Sequence, residues 1–155
     1  MVPAATAEPG ERADAADQLA GSLNNLGQFL GARSRYKEAE ASLRESLGIR
    51  ERAQPPRVVQ LANTRLALAV NLMRQDKLAD AEPMMRQVVA DRTEVLGATH
   101  PQTIDARSEL ANLPHDQGSY DEAEVNYRAV VGGRRERGGN DYAVALNNLA
   151  SLLED

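Results

Sequence analysis

Apolar residues return along this chain at helical intervals. Leu19, Leu23, Leu26 and Leu30 stand three and four positions apart, which puts them on one side of a helix, and Leu43 and Leu47 carry the pattern into a second run. Turn-forming residues punctuate the runs. Arg33-Ser34-Arg35, Gln75-Asp76-Lys77 and Gln117-Gly118-Ser119 lie inside pairs of runs, each with one position suited to left-handed backbone. Glycine meets that demand best, Asp76 tolerably and Ser34 least well. Between pairs stand Gln54-Pro55-Pro56, Gly97-Ala98-Thr99-His100-Pro101 and Gly138-Gly139-Asn140-Asp141, each able to stop one helix and start the next. The pattern predicts seven helices, over 13–32, 36–52, 57–74, 78–95, 101–114, 120–136 and 141–154. Pro83 falls near the start of the fourth, where few hydrogen bonds are lost, and bends it slightly. Pro114 stands where earlier pairs have Leu30 and Leu72, so it ends or bends the fifth helix and leaves His115 and Asp116 irregular.

The pairs superimpose at a fixed offset of 42 residues: Tyr36, Leu78 and Tyr120 fall in register, then Ala39, Ala81 and Ala123, then Glu40, Glu82 and Glu124. A chain that repeats itself at this interval is an array of helix hairpins, none of which buries its apolar face alone. The predicted fold class is therefore all-α, an α-solenoid. A hydrophobic content of 42% is enough for a continuous core, and with aromatics at 3%, no Trp and a single Phe, that core is built from Leu, Val, Ala and Met. Strand-rich folds would want more β-branched and aromatic residues.

Charge and chemistry narrow the function classes. A formal charge of −5 opposes the basic footprint that phosphate backbones demand, so nucleic acid is not the expected ligand. No window holds the roughly 18 consecutive apolar residues of a membrane helix, and no membrane association is expected. The absence of Cys removes disulfides and thiolate metal sites and fits a reducing compartment, for which cytoplasm is the expectation. Residues 1–12, with Pro3, Pro9 and Gly10 among Ala and Glu, lack the basic and apolar regions of a signal peptide and read as a disordered leader.

The residues also resemble a known family, the tetratricopeptide repeats, in the long-period form found in kinesin light chains. Its pattern, Leu-small-x-x-large followed by Ala-x-x-x-large, stands here as Leu26-Gly27-x-x-Leu30 with Ala39-x-x-x-Leu43 and as Leu68-Ala69-x-x-Leu72 with Ala81-x-x-x-Met85. A third copy is Leu110-Ala111-x-x-Pro114 with Ala123-x-x-x-Tyr127, and Leu149-Ala150-x-x-Leu153 repeats the first half alone. Leu23-Asn24-Asn25-Leu26-Gly27, Tyr120-Asp121-Glu122-Ala123-Glu124 and Leu96-Gly97-Ala98-Thr99-His100-Pro101 are similar to the light-chain subtype. HEAT and armadillo arrays share the period but lack the small-residue pairing. The resemblance implies a right-handed solenoid over 13–155, with repeats at about 19–56, 61–98, 103–138 and a partial one at 142–155. The third linker, residues 132–139, is three residues short, which unsettles the stacking of the last helix.

In this family the first helix of each pair lines a concave groove that takes a peptide. Carried over, the inward positions are Asn24, Asn25 and Gln28, then Asn63, Leu66 and Val70, then Ser108, Glu109 and Asn112, and finally Asn147, Asn148 and Ser151. An asparagine amide both donates and accepts, so a row of them can bond an extended backbone whatever its side chains. The family's chaperone-tail clamp needs Lys at the Asn24 position and Asn at the Gln28 position, and neither is present. Asp105, Glu109, Asp116 and Glu154 point to tolerance for basic peptide residues in the later part. The last helix lacks its partner, so Leu149, Leu152 and Leu153 are expected either to self-associate into a homo-oligomer or to mark a fragment boundary.

No enzyme chemistry is visible. Two isolated histidines make no triad, His100 reads as a helix-entry residue, and His115 beside Asp116 has no second ligand at metal spacing, so neither a metal nor a cofactor is expected. Arg134, Arg135 and Arg137 complement a helix dipole ahead of a glycine stop, and Tyr36, Tyr120 and Tyr127 belong to the core. The sequence predicts a non-enzymatic scaffold that binds a partner protein or peptide. Its rivals are a regulatory sensor segment of a larger signalling ATPase or transcription regulator, and a self-assembling repeat module.

Overall fold

The structure, a computed structural model, describes residues 8–113, 120–137 and 140–154. They form α1 (Pro9–Ala32), α2 (Tyr36–Glu51), α3 (Val58–Met73), α4 (Leu78–Leu96), α5 (Pro101–Ala111), α6 (Tyr120–Arg137) and α7 (Asn140–Glu154), with no strand among the described residues. Boundaries depart from expectation by more than one residue in two places. α1 starts at Pro9, inside the expected leader, because Glu8 and Glu11 close a capping box in which the Glu8 backbone N–H donates to the Glu11 carboxylate at 3.1 Å. α5 stops at Ala111, three residues short of Pro114. Pro114 itself, His115 and Asp116 lie outside the described residues, as do Gln117, Gly118 and Ser119.

The chain divides into two compact units, residues 1–75 and 76–155. In the first, α1 and α2 form a hairpin and α3 packs chiefly on α2. In the second, α5 and α6 form the hairpin, α4 packs on α5, and α7 on α6. Each interface depends on small residues. A Cβ placed on Gly27 of α1 would fall 2.5 Å from Leu43 Cγ and 3.2 Å from the Ala39 carbonyl oxygen on α2, so the α1–α2 approach requires glycine there. In the second unit Ala111 and Ala123 face each other with Tyr127.

Gly132 and Gly133, which the expected sixth helix and the expected linker both claimed, are helical residues of α6. Gly133 is buried directly against the Ile104 side chain, where a Cβ would overlap it. The cluster of Ile104, Val130 and Ala145, with Val131 beside it, shows what this approach achieves. Pro83 leaves α4 unbroken from Leu78 to Leu96.

The turn after α1 is a Schellman motif. The Arg35 N–H donates to the Leu30 carbonyl and the Ser34 N–H to the Gly31 carbonyl, both at 2.9 Å, which forces Ser34 to φ 60°. Asp76, one repeat later, takes φ 61°. Both non-glycine residues thus occupy the strained positions that the punctuation marked. His100 caps α5, its Nδ1 accepting from the Gln102 N–H at 3.2 Å.

Two substitutions test these constraints. Gly27→Ala adds helix propensity worth about 1 kcal/mol but overpacks Leu43 at a cost of about 1–3 kcal/mol, so urea denaturation should show a net loss near 1 kcal/mol. Adding Leu43→Met, which makes these two positions match Ala69 and Met85 of the next repeat, should recover most of it. Ser34→Gly relieves a left-handed serine, about 1–2 kcal/mol, against the greater unfolded-state entropy of glycine, about 0.4–1 kcal/mol. Thermal unfolding should then shift upward by about 1–3 °C.

Candidate functional site

The first unit contains a groove of about 710 Å³. One wall is α1, through Asn24, Gly27, Gln28, Gly31 and Ala32; the other is α3, through Asn63, Leu66, Ala67, Val70 and Asn71. Ser34, Tyr36 and Leu43 close the floor and one end, and Arg74 stands exposed at the rim. Glycines at 27 and 31 leave the α1 backbone bare, and a Cβ on Gly31 would sit 3.5 Å from the Asn71 amide nitrogen. Asn71 is fixed from behind: Gln75 Nε2 donates to Asn71 Oδ1 at 2.9 Å and to Glu40 Oε2 at 3.0 Å. No carboxylate lines this groove, and Arg74 is its one charged lining residue.

Five of the six groove positions expected in this unit, Asn24, Gln28, Asn63, Leu66 and Val70, meet here, while Asn25 is exposed outside the lining. Asn24 is buried rather than open, and its Oδ1 accepts from Thr64 Oγ1 at 3.3 Å. Its amide nitrogen takes no part in that bond. Tyr36 is half-buried and lines the groove instead of filling the core. Asn71 and Arg74 were not expected. Asn71 was detectable in principle, since it lies two helical turns after Asn63 on the same face.

The second unit distributes its expected residues differently. Ser108 is buried in α5, Glu109 is exposed, and Asn112 caps the end of α5 while its Oδ1 accepts the Tyr127 hydroxyl at 2.8 Å. Burial raises the Tyr127 phenol above its ordinary pKa, which keeps it the donor in that bond. On α7, Asn147 and Ser151 are exposed and Asn148 is half-buried. A cavity of about 460 Å³ lies elsewhere, lined by residues such as Val89, Thr93, Arg107, Leu110 and Asn126, none of them an expected groove position.

Leu149, expected to self-associate, is partly buried against Ala111, Ala123 and Tyr127 of its own chain. The side chains of Leu152 and Leu153 lie outside the described residues. Asp105 lies 3.8 Å from Arg134, an ion pair that occupies one of the carboxylates expected to meet basic peptides, while Asp116 and the side chain of Glu154 lie outside the described residues. Among the described residues no three His, Cys, Asp or Glu gather where a metal could sit, and no helix is long and apolar enough to cross a membrane.

A pair of buried arginines went unnoticed in the sequence. Arg50 of α2 donates through Nη1 to the Gln60 carbonyl at 2.5 Å and to Thr64 Oγ1 at 2.8 Å, both on α3. Forty-two residues later, Arg92 of α4 donates through Nη1 to the Gln102 carbonyl of α5 at 2.7 Å, and the Arg92 carbonyl accepts from Thr103 Oγ1 at 3.2 Å. Burial pulls both guanidinium groups below the usual arginine pKa, and Asp17 and Asp105 respectively pull them back. Each arginine remains charged and ties the second helix of one repeat to the first helix of the next. The repeat register could have exposed them, because Arg50, Arg92 and Arg134 align at the same offset as Ala39, Ala81 and Ala123.

Comparison with known proteins agrees with this geometry. Two tetratricopeptide repeat profiles match the chain, one over residues 60–136 and one over residues 19–53. The chain belongs to the tetratricopeptide repeat family. Similar solved structures include that of a putative kinesin light chain with nearly identical tetratricopeptide-like repeats from Podospora anserina (TM-score 0.76, 20% identity, 88% of this chain and 66% of that one). Another is BtubC (BKLC) from P. vanneervenii (TM-score 0.72, 18% identity, 88% of this chain and 55% of that one). They share the tetratricopeptide solenoid fold, of the kinesin-light-chain-like type that a 42-residue period implies. Curated relatives include the mitochondrial tetratricopeptide repeat protein 19 of Rattus norvegicus, 28% identical over 116 residues (75% of this chain), and that of Mus musculus, 30% identical over 101 residues (61%). The chain spans 31% and 28% of their lengths. Proteins of this repeat family bind protein partners, which makes this chain an interaction scaffold in general terms.

Arginine at these buried positions separates two contributions to stability. Arg50→Ala removes charged hydrogen bonds and packing together, and should cost about 2 kcal/mol in urea denaturation. Arg50→Met keeps the packing and discards a buried charge, and should cost less than about 1 kcal/mol. Equal losses for the two would mean that the hydrogen bonds carry the whole effect.

Proposed function

We propose that this tetratricopeptide repeat chain is a non-enzymatic scaffold whose α1–α3 groove receives a short extended peptide segment from a partner protein. The observation that carries the reading is the convergence of Asn24, Gln28, Asn63 and Asn71 around an apolar strip of Leu66, Val70 and Leu43. The more open Gln28 and Asn63, one on each wall, offer donors and acceptors to a backbone, while Asn24 and Asn71, whose oxygens are already bonded, offer their amide N–H groups, and the strip between them accepts one apolar side chain. Between Asn24 and Ala32 the α1 wall runs about 12 Å at about 1.5 Å per residue, room for about four residues of extended peptide at about 3.3 Å each. With Arg74 at the rim and no carboxylate in the lining, the fitting peptide carries an apolar residue followed by an acidic side chain or a terminal carboxylate. That differs from the basic peptides that the acidic residues of the later repeats pointed to, because those residues lie outside this groove.

So short a contact binds weakly. Each amide-to-backbone hydrogen bond contributes about 0.5–1.5 kcal/mol, and an affinity near micromolar, about −8 kcal/mol, is the expectation. The test is a random peptide library selected on the full chain, followed by fluorescence anisotropy of the winners. Asn63→Ala should weaken them about 2- to 12-fold, the equivalent of one such bond. Val70→Glu should abolish binding with the circular dichroism spectrum unchanged, and Arg74→Ala should remove the preference for acidic peptides. Peptides that bind all three variants as well as the native chain would sink the reading.

A further inference from the structure

Arg65 of α3 and Arg107 of α5 hold the same register position, 42 residues apart, in different surroundings. Arg65 forms an ion pair at 3.4 Å with Glu51, the last residue of α2, 14 positions before it. At the same distance before Arg107 stands Thr93, whose hydroxyl is committed to its own helix and donates to the Val89 carbonyl at 2.6 Å. The carboxylate that the earlier repeat supplies has no counterpart here.

Nothing else takes its place. The Nε of Arg107 is buried without a hydrogen-bond partner, and among the described residues none bonds to or pairs with its guanidinium. Arg50 and Arg92 also leave Nε unmatched, yet both donate through Nη1. Arg107 has lost part of its hydration and gained no bond in return, which leaves it ready for an anion.

Room for one lies against it. Arg107 lines a cavity of about 460 Å³, open to solvent, to which α4 contributes Val89 and Ala90 and α5 Leu110 as an apolar side. The carboxylates of the lining do not serve Arg107. Glu122 of α6 is held by Arg86 of α4, which donates to it through Nε at 2.9 Å and through Nη2 at 2.6 Å, and Glu94 is exposed and makes no bond to Arg107.

From this we infer that the α4–α5–α6 cavity is a second binding site, sharing no residue with the α1–α3 groove, that takes one Asp or Glu side chain of a partner polypeptide onto Arg107. The carboxylate stands to Arg107 as Glu51 stands to Arg65, and an apolar residue beside it rests on Val89, Ala90 and Leu110. With Glu94 in the same lining, a single carboxylate fits better than a doubly charged phosphate. So open a cavity encloses too little of a free carboxylate to hold it, and the remaining contact comes from chain on either side of the acidic residue.

The probe is a displayed library of heptapeptides with a fixed central Glu, selected on the full chain carrying Val70→Glu, so that recovery does not depend on the α1–α3 groove. Recovered peptides should carry an apolar residue beside the Glu. Replacing that Glu by Gln in a fluorescein-labelled copy should weaken binding about tenfold, the loss of one charged hydrogen-bonded pair. Arg107→Met in the chain should weaken it by the same factor, and the two changes together no further. Thr93→Glu rebuilds on α4 the carboxylate that Glu51 gives Arg65, and should also block the site about tenfold with the circular dichroism spectrum unchanged. That variant decides the matter if Arg107→Met fails to fold. Recovery of no peptide, or peptides that bind the Arg107→Met or Thr93→Glu chain undiminished, overturns the inference. N-acetylglutamate amide that displaces a peptide at the peptide's own concentration overturns the polypeptide as occupant. Light scattering that shows a native dimer dissolved by Thr93→Glu does the same, by assigning the site to a second copy of the chain.

Discussion

A helical hairpin has more apolar surface than its two helices can hide from each other, and that excess governs the whole chain. α1 and α2 close on one another through Gly27, Ala39 and Leu43, yet α2 still needs α3 on its other side. The same holds for α6, which takes α5 on one side and α7 on the other. Leu149 of α7 illustrates the consequence: it settles against Ala111, Ala123 and Tyr127. A leucine that finds cover within its own chain has less to gain from a second molecule.

Much of this was legible in the sequence because steric demands leave few choices. Small residues at Gly27, Ala39, Ala111 and Ala123 mark the close approaches, and the left-handed turn positions at Ser34 and Asp76 can be located by punctuation alone. Five of the residues that line the cavity of the first unit are positions carried over from the family resemblance. What stayed hidden depends on the partner surface rather than on the residue. Asn24 has the composition of a solvated surface, but Thr64 reaches it from α3. Asn112 looked open, but Tyr127 uses its oxygen. Gly132 and Gly133 resemble a linker until Ile104 is seen to occupy the space a side chain would need.

The buried arginines were the largest omission, and the reason is general. Arginine is read as surface because a buried guanidinium is costly, and Arg50 and Arg92 do leave Nε without a partner. Their Nη1 atoms recover part of that cost from helix carbonyls that an aliphatic side chain could not use. Asp17 and Asp105 recover more by placing a negative charge nearby.

Why an arginine should stand here and not a leucine follows from what each fixes. An apolar side chain lying between two helices has several positions of similar energy, spaced by the ridges of the facing helix. A guanidinium bonded to a single carbonyl has one. By tying Arg50 to Gln60 and Arg92 to Gln102, each ten residues on, the chain sets the slide of each first helix against the preceding second helix, and sets it identically in both places. The groove inherits that precision. Thr64, which accepts from Arg50, donates in turn to Asn24, so the α1 wall and the α3 wall are held in register by one continuous line of hydrogen bonds running from α2. The amides that line the groove therefore owe their spacing to a charge buried behind them.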